Sequence, residues 1–232
     1  MKKPHLLLLH GALGASVQFA PLRPLLTKHY HLHLLDFEGH GSAPPSARPF
    51  RIEHFAENVL TYLGHHSIEQ IDIFGYSMGG YVALNLATIA PTRVGRIATL
   101  GTKFRWDAET AAREVALLDP ERIAAKVPHF AQALAERHPT TGWKTVAHKT
   151  AELLQTLGEH NVLETTKLQT IPHPVRICVG DRDATVSLEE SVEVYRVLPQ
   201  GELAVLPQTP HPLEKVMWPR VAHALTDFFC SS

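Results

Sequence analysis

The sequence has little cysteine, little net charge and no long apolar run. Its only two cysteines, Cys178 and Cys230, are far apart, which excludes a disulfide-stapled fold and predicts two buried free thiols. A formal net charge of -1 gives no electrostatic reason to expect nucleic acid or an anionic membrane as a partner. No stretch approaches the roughly 18 apolar residues of a membrane span, and Leu6 to Leu9 are too few for a secretory signal. We therefore expect a cytoplasmic monomer or homodimer that acts on a small molecule.

Short apolar runs alternate with longer stretches of helical periodicity along most of the chain. With 232 residues, 44% of them hydrophobic, the chain can bury a full core. The alternation is typical of a parallel sheet covered by helices on both faces. It predicts six strands, at residues 5–9, 31–35, 70–74, 96–100, 174–179 and 202–206. It also predicts helices near residues 17–27, 52–63, 78–89, 187–197 and 216–229.

One interval, residues 103–169, breaks this alternation. It contains helical patterns such as AETAAREVALL and WKTVAHKTAELLQTLG but no convincing strand. Asp119-Pro120 within it is typical of a helix start, with Asp119 as the N-cap and Pro120 in the first turn. We predict that this interval is a helical cap inserted between two segments of an α/β core, residues 1–102 and 170–232. Ordinary helices within one layer are the alternative, but so long an interval without a strand argues against it.

The stretch IDIFGYSMGGYVALNLA, residues 71–87, places a serine between two glycines where a strand gives way to a helix. A Gly-x-Ser-x-Gly pentapeptide is weak evidence alone, but this setting requires a sharp turn that presents Ser77 above the sheet. The amide of the next residue, Met78, lies at a helix N-terminus and can donate to a developing oxyanion. The pattern therefore predicts that Ser77 is a nucleophile.

A nucleophilic serine needs a histidine base and a carboxylate that orients the base. Reacting groups gather at the carboxyl ends of parallel strands, so only the histidines in loops after strands qualify: His10, His40 and His211. His10 and His40 adjoin glycines, which favours a loop-shaping role. His211, in LPQTPHPLEK after the last strand, is the best candidate for the base. For the acid, VRICVGDRDATVS offers Asp181 and Asp183 just beyond a strand.

Several ordered motifs resemble the α/β-hydrolase superfamily, in its cap-bearing single-domain branch. They are HGALG after the first strand, DFEGHGS after the second, GYSMGG after the third, GDRD after the fifth and PH after the sixth. The resemblance covers nearly the whole chain. It implies that Asp183, the last residue of a Gly-x-x-Asp turn, is the acid, and that Ala12, the residue after His-Gly, supplies the second oxyanion amide.

The resemblance also implies a chemistry. We expect an esterase-like serine hydrolase that cleaves a carboxylic ester or thioester through an acyl-enzyme, without a cofactor. Since the sequence starts directly with the strand that carries HGALG, we expect an all-parallel core that lacks the first two strands of the family. The alternative is a carbon-carbon bond hydrolase or an elimination catalyst of the menaquinone-biosynthesis type, although HGALGA replaces the HGGGPG of the carbon-carbon hydrolases. A non-enzymatic ligand-binding protein is disfavoured because the Ser, His and Asp are all present.

Two further patterns concern ligands. His29, His31 and His33 alternate and could project from one face of a strand, but no carboxylate or cysteine is spaced with them, so we expect no metal site. Phe104 and Trp106 lie closest to a strand end in the inserted interval. They are the candidates for the substrate pocket, although aromatic residues in helical segments often simply pack.

Overall fold

The computed structural model describes residues 3–230, which contain one six-stranded sheet. The strands are β1 (His5–Leu9), β2 (His31–Leu35), β3 (Ile71–Tyr76), β4 (Val94–Leu100), β5 (Val175–Arg182) and β6 (Gly201–Pro210). Their order in the sheet is β2-β1-β3-β4-β5-β6, and every neighbouring pair is parallel. The predicted α/β fold with an all-parallel six-stranded sheet is confirmed.

Helices connect these strands. They are α1 (Arg23–Leu26), α2 (Ile52–His65), α3 (Met78–Ile89), α4 (Ala108–Val115), α5 (Pro120–Lys126), α6 (Pro128–Arg137), α7 (Trp143–Glu159), α8 (Thr165–Leu168), α9 (Leu188–Val197) and α10 (Trp218–Phe229). Within residues 3–230, no helix combines the length and the apolar character that crossing a bilayer requires.

The strands β1, β3 and β4 in the middle of the sheet are mostly buried on both faces, which explains their largely apolar sequences. Successive residues of a strand point to opposite faces. In β1, Leu7 and Leu9 join the cluster of buried side chains that includes α2, α3 and α9, whereas Leu6 and Leu8 join the cluster that includes α1 and α10. All four leucines are fully buried.

Two local predictions are wrong. The helix expected at residues 17–27 is instead a 3₁₀ turn at Ser16–Phe19 followed by the four-residue α1, since Pro21 lacks the N–H that a continuous helix needs. Cys230 is exposed rather than buried, because it follows the last residue of α10 at the surface. Cys178 is buried as predicted, and burial raises the pKa of its thiol to about 12.

Between β4 and β5 the chain forms α4 to α8, which we call the inserted helices, and residues 101–174 contain no strand. The predicted N-cap is confirmed: Asp119 Oδ1 accepts the N–H of Arg122 at 2.8 Å at the start of α5. Buried residues of the inserted helices, such as Leu134 and Val146, belong to the same cluster as Leu7 of the sheet. The inserted helices therefore share the core of the sheet.

Candidate active site

Three candidate catalytic residues lie at one edge of the sheet. Ser77, Asp183 and His211 are each the first residue after a strand, namely β3, β5 and β6. The strands are parallel, so their carboxyl ends point to the same edge. β5 and β6 continue beyond the predicted ends, and the added residues bring the acid and the base to the strand ends.

Ser77 adopts a strained backbone conformation, with φ 51° and ψ -118°. A non-glycine residue in such a region costs on the order of 1–3 kcal/mol, so the surroundings must hold it there. Its N–H donates to the carbonyl of Leu100 at 2.8 Å, and its carbonyl accepts from the Gly80 N–H and the Thr102 hydroxyl, both at 3.0 Å. These bonds fix the sharp strand-to-helix turn that the sequence predicts.

Glycine is required on both sides of Ser77. A Cβ atom at Gly75 would collide with the backbone of Gly80, and one at Gly79 would collide with the carbonyl of Leu9. The start of α3 can therefore lie directly against β1 and β3. Met78 occupies the first position of this helix, where a backbone N–H has no acceptor within the helix.

Asp183 and His211 form a part-buried hydrogen-bonded pair. His211 Nδ1 lies 2.8 Å from Asp183 Oδ2, and only 2% of the aspartate side chain is exposed. The other carboxylate oxygen, Oδ1, accepts the backbone N–H groups of Thr185 and Val186, both at 2.8 Å. The two backbone N–H groups hold the carboxylate in place, and its Oδ2 holds the imidazole with Nδ1 towards the acid. The other ring nitrogen, Nε2, is left for proton transfer.

Other contacts support this pair, and motif reasoning missed them. The Tyr76 hydroxyl donates to the backbone carbonyl of His211 at 2.8 Å. Gly101 has φ +61°, and a Cβ there would lie 3.0 Å from Asp183 Oδ2. Lys103 Nζ donates at 2.7 Å to a carbonyl in the turn that follows Asp183. No sequence signal marks these residues, since their roles arise only from tertiary contacts.

The other candidates for acid and base occupy different positions. Asp181 is exposed, and hydrogen bonds from the backbone of Gln208 and Thr209 lower the pKa of its carboxyl. His10 and His40 are fully buried. The Phe37 N–H donates to His10 Nε2 at 3.2 Å, and His10 Nδ1 donates to the carbonyl of Gly11 at 2.9 Å. Burial lowers the pKa of His10 to about 4 and that of His40 well below its ordinary value.

The buried, neutral His10 predicts a loss of stability as the pH falls from 7 to 5. Its pKa is about 4 in the folded protein against an ordinary 6.5, so between these values the unfolded chain binds more protons. Stability then rises with pH: the His10 contribution is complete above pH 6.5 and decreases by on the order of 2 kcal/mol at pH 5. Urea unfolding at both pH values measures this difference. In His10→Gln, whose side chain cannot titrate, the free energy of unfolding should differ less between pH 7 and pH 5. A difference equal to that of the wild type would contradict the prediction.

Ser77 and His211 line a cavity of about 470 Å³. Ala12 and Met78, the candidates for the oxyanion amides, line it too. Its remaining wall is mainly apolar and comes from both the core and the inserted helices: Leu13, Ile52, Tyr76, Tyr81, Trp106, Leu117, Leu118, Phe130, Leu153, Leu154, Leu157 and Pro212. The polar groups that complete it are Lys103, Glu114 and Thr185.

The two aromatic residues proposed for the pocket have different positions. Trp106 lines the cavity. Phe104 does not line the cavity. Its side chain is buried, with its ring centroid 6.4 Å from that of Tyr81, and its backbone N–H donates to the Glu190 carboxylate. Phe104 therefore contributes packing behind the pocket wall.

Of the three alternating histidines, His31 and His33 lie in the edge strand β2 and contact His5, whereas His29 precedes the strand. His33 Nε2 lies 2.7 Å from His5 Nδ1, and His33 Nδ1 lies 3.0 Å from the Tyr62 hydroxyl. Burial lowers the pKa of His33 to about 4. Across residues 3–230, no three His, Cys, Asp or Glu side chains are grouped so that they could hold a metal ion.

Comparisons with known proteins point to the same architecture. A family model described as alpha/beta hydrolase fold matches residues 4–161. A pimeloyl-(acyl-carrier protein) methyl ester esterase from Nitrosospira multiformis is 26% identical, with 90% of this chain and 88% of that protein covered. The structure of a thermophilic esterase from Thermogutta terrifontis superposes with a TM-score of 0.80 at 22% identity, covering 99% of this chain and 90% of that one.

A third relative is longer than this chain. The dihydrolipoyllysine-residue acetyltransferase component of an acetoin cleaving system from Pseudomonas putida is 24% identical over 89% of this chain. This chain spans 58% of the length of that relative. The similarity therefore concerns only part of the longer protein.

Proposed function

Because the chain belongs to the alpha/beta hydrolase fold family, we propose that it is a serine hydrolase that cleaves a carboxylic ester or thioester through an acyl-enzyme. The observation that carries this proposal is the hydrogen-bonded Asp183–His211 pair, whose imidazole lines the same cavity as the strained Ser77. The names of two similar proteins, both esterases, support an ester as the substrate.

In the proposed reaction, His211 Nε2 removes the proton of the Ser77 hydroxyl as its oxygen attacks the ester carbonyl. Asp183 holds the imidazole in the required tautomer and stabilises the imidazolium. The same proton then passes to the leaving alkoxide or thiolate as the carbon-oxygen or carbon-sulfur bond breaks. Water, deprotonated by His211, hydrolyses the acyl-enzyme and regenerates Ser77.

The negative oxygen of the tetrahedral intermediate needs donors that are already in place. We assign this role to the backbone amides of Ala12 and Met78, which line the cavity beside Ser77. Met78 N–H is at the positive end of α3, where a developing negative charge is stabilised. Ala12 lies in the turn after β1.

The inserted helices, in this proposal, cover Ser77 as a cap and select the acyl group. They contribute Phe130, Leu153 and Leu154 to the cavity wall, all apolar side chains suited to an alkyl chain. Lys103 and Glu114, 3.5 Å apart, are the charged pair in the same wall. A cap in this place excludes water from the oxyanion.

A substrate panel tests the proposed function. The purified protein is assayed with p-nitrophenyl esters and matched thioesters of acetate, butyrate and octanoate, and with a dienoate ring-cleavage product as the carbon-carbon substrate. We expect turnover of esters or thioesters. With the p-nitrophenyl esters we expect a burst of p-nitrophenol equal to the enzyme concentration, because the acyl-enzyme accumulates when its hydrolysis is slower than its formation. Turnover of the dienoate alone would favour the carbon-carbon alternative, and turnover of none would overturn the proposal.

Replacing Trp106 with alanine is expected to change the preferred acyl length. Loss of this apolar wall should lower kcat/KM at least about tenfold for octanoate and by less than about threefold for acetate, because only the longer chain buries surface against it. The measurement is kcat/KM for acetate, butyrate and octanoate esters of one alcohol. Trp143→Ala is the matched control, since Trp143 belongs to α7 but does not line the cavity. Equal decreases for all three esters would identify Trp106 as a packing residue.

A further inference from the structure

The turn that carries Ala12 contains a second strained residue. The Gly14 N–H donates to the carbonyl of Gly11 at 3.0 Å and closes a four-residue turn. Leu13, the third residue of this turn, has φ 53°, a left-handed conformation that a branched side chain seldom adopts. The turn needs outside support to keep this conformation.

The support comes from the inserted helices. The carbonyl of Leu13 accepts two hydrogen bonds, from Arg137 Nη1 and from His138 Nε2, both at 3.0 Å. Arg137 is the last residue of α6 and His138 its C-cap, so the donors lie more than 120 positions away in sequence (124 and 125 residues).

The second ring nitrogen of His138, Nδ1, also makes a hydrogen bond, which orients the ring. The Gly41 N–H donates to His138 Nδ1 at 3.0 Å, so this nitrogen carries no proton and the neutral ring has its proton on Nε2. His138 is 1% exposed, and burial lowers the pKa of its imidazole, which favours the neutral form. The ring thus connects the loop after β2 to the turn after β1 with a single tautomer.

We infer that Arg137 and His138 are positioning residues for oxyanion stabilisation: they hold Leu13 in its left-handed conformation and so fix the Ala12 amide relative to Met78. The inference rests on the proposed function. It gives the inserted helices a part in the chemistry itself, in addition to covering the cavity. A purely structural role for His138, as an anchor of α6, is the competing explanation.

Two substitutions of His138 separate these roles. Glutamine can place its amide nitrogen where Nε2 lies and keep the donor to Leu13, whereas asparagine can place its oxygen where Nδ1 lies and keep only the acceptor for Gly41. Each loses one of the two hydrogen bonds. We expect His138→Asn to lower kcat for p-nitrophenyl acetate about tenfold or more with KM within about twofold, and His138→Gln to stay within about threefold.

A second pair of variants covers the case in which a His138 variant fails to fold. Arg137→Met removes the hydrogen bond to Leu13 and the 2.8 Å ion pair between Arg137 and Glu214. Glu214→Gln removes only the ion pair. We expect kcat to fall several-fold in Arg137→Met and to stay within about twofold in Glu214→Gln.

The outcomes distinguish the inference from the proposed function. The inference is supported if wild-type turnover depends on Ser77 and one of two differences is seen. Either His138→Asn is much slower than His138→Gln, or Arg137→Met is much slower than Glu214→Gln. Wild-type turnover with equal effects within each pair, or changes confined to KM, overturns the inference alone. Absence of Ser77-dependent turnover in the wild type overturns the proposed function and the inference with it.

Discussion

Replacing Ser77 with alanine is expected to lower ester turnover by roughly 10⁴-fold or more. The covalent route disappears with the hydroxyl, whereas the cavity and the backbone amides of Ala12 and Met78 remain. The strained φ of 51° is held by backbone contacts that alanine preserves, so the variant should fold with wild-type stability. The measurement is kcat/KM for p-nitrophenyl butyrate, together with the burst amplitude, which should be zero.

Two controls make the result specific to the hydroxyl. Thermal unfolding monitored by circular dichroism shows whether Ser77→Ala retains the fold. Ser191→Ala removes a hydroxyl of α9 that donates to the carbonyl of Ser187. Ser191 does not line the cavity, so this change should leave turnover within about twofold. Ester hydrolysis within tenfold of the wild type in Ser77→Ala would show that another group is the nucleophile.

The second large effect is expected from Asp183→Asn. The backbone N–H groups of Thr185 and Val186 donate to one side-chain oxygen of Asp183, so an asparagine would place its oxygen there and its NH₂ group towards His211. The NH₂ group donates to Nδ1 and forces the proton onto Nε2, the nitrogen that must accept the proton of Ser77. We expect kcat to fall by about 10⁴-fold.

Asp181→Asn is the matched control for this change. Asp181 is exposed and accepts a hydrogen bond from the Thr209 N–H at 3.1 Å, which an asparagine oxygen can also accept. Its effect on kcat should stay within about threefold. The pair is compared at one pH with p-nitrophenyl butyrate, and a larger loss in Asp181→Asn would reverse the assignment of the acid.

The sequence predicts the strand bounds best for the first two strands. β1 and β2 begin and end at the predicted residues, 5–9 and 31–35. β5 and β6 extend further: after an irregular register between Gly180 and Arg182, Arg182 pairs with Pro210, and Gln208 within β6 has φ +50°. Such irregularities depend on the neighbouring strand and leave no periodic signal in the sequence.

The candidate site was predictable to the extent that its residues lie in local motifs. Ser77 and His211 each follow a strand within a short pattern that indicates them. The sequence offers both Asp181 and Asp183 as the acid, and the family resemblance selects Asp183. Lys103 and His138 could not be found in this way, because their partners lie far along the chain and no local pattern marks either residue. Phe104 and Trp106 have similar sequence settings, and only the tertiary packing separates the buried ring from the one that lines the cavity.

The continuous buried cluster that joins the sheet to the inserted helices limits how this protein could be re-engineered. Leu134 and Leu153 of the insertion pack in the same interior as Phe50 and Ile52 of the surrounding segments. A chimera that received residues 103–169 from another hydrolase would have cavities or steric clashes where these side chains meet. Each typically lowers the free energy of unfolding by about 1–3 kcal/mol or more. Grafting a new specificity onto this protein is therefore better attempted one cavity-facing side chain at a time than by transplanting the whole insertion.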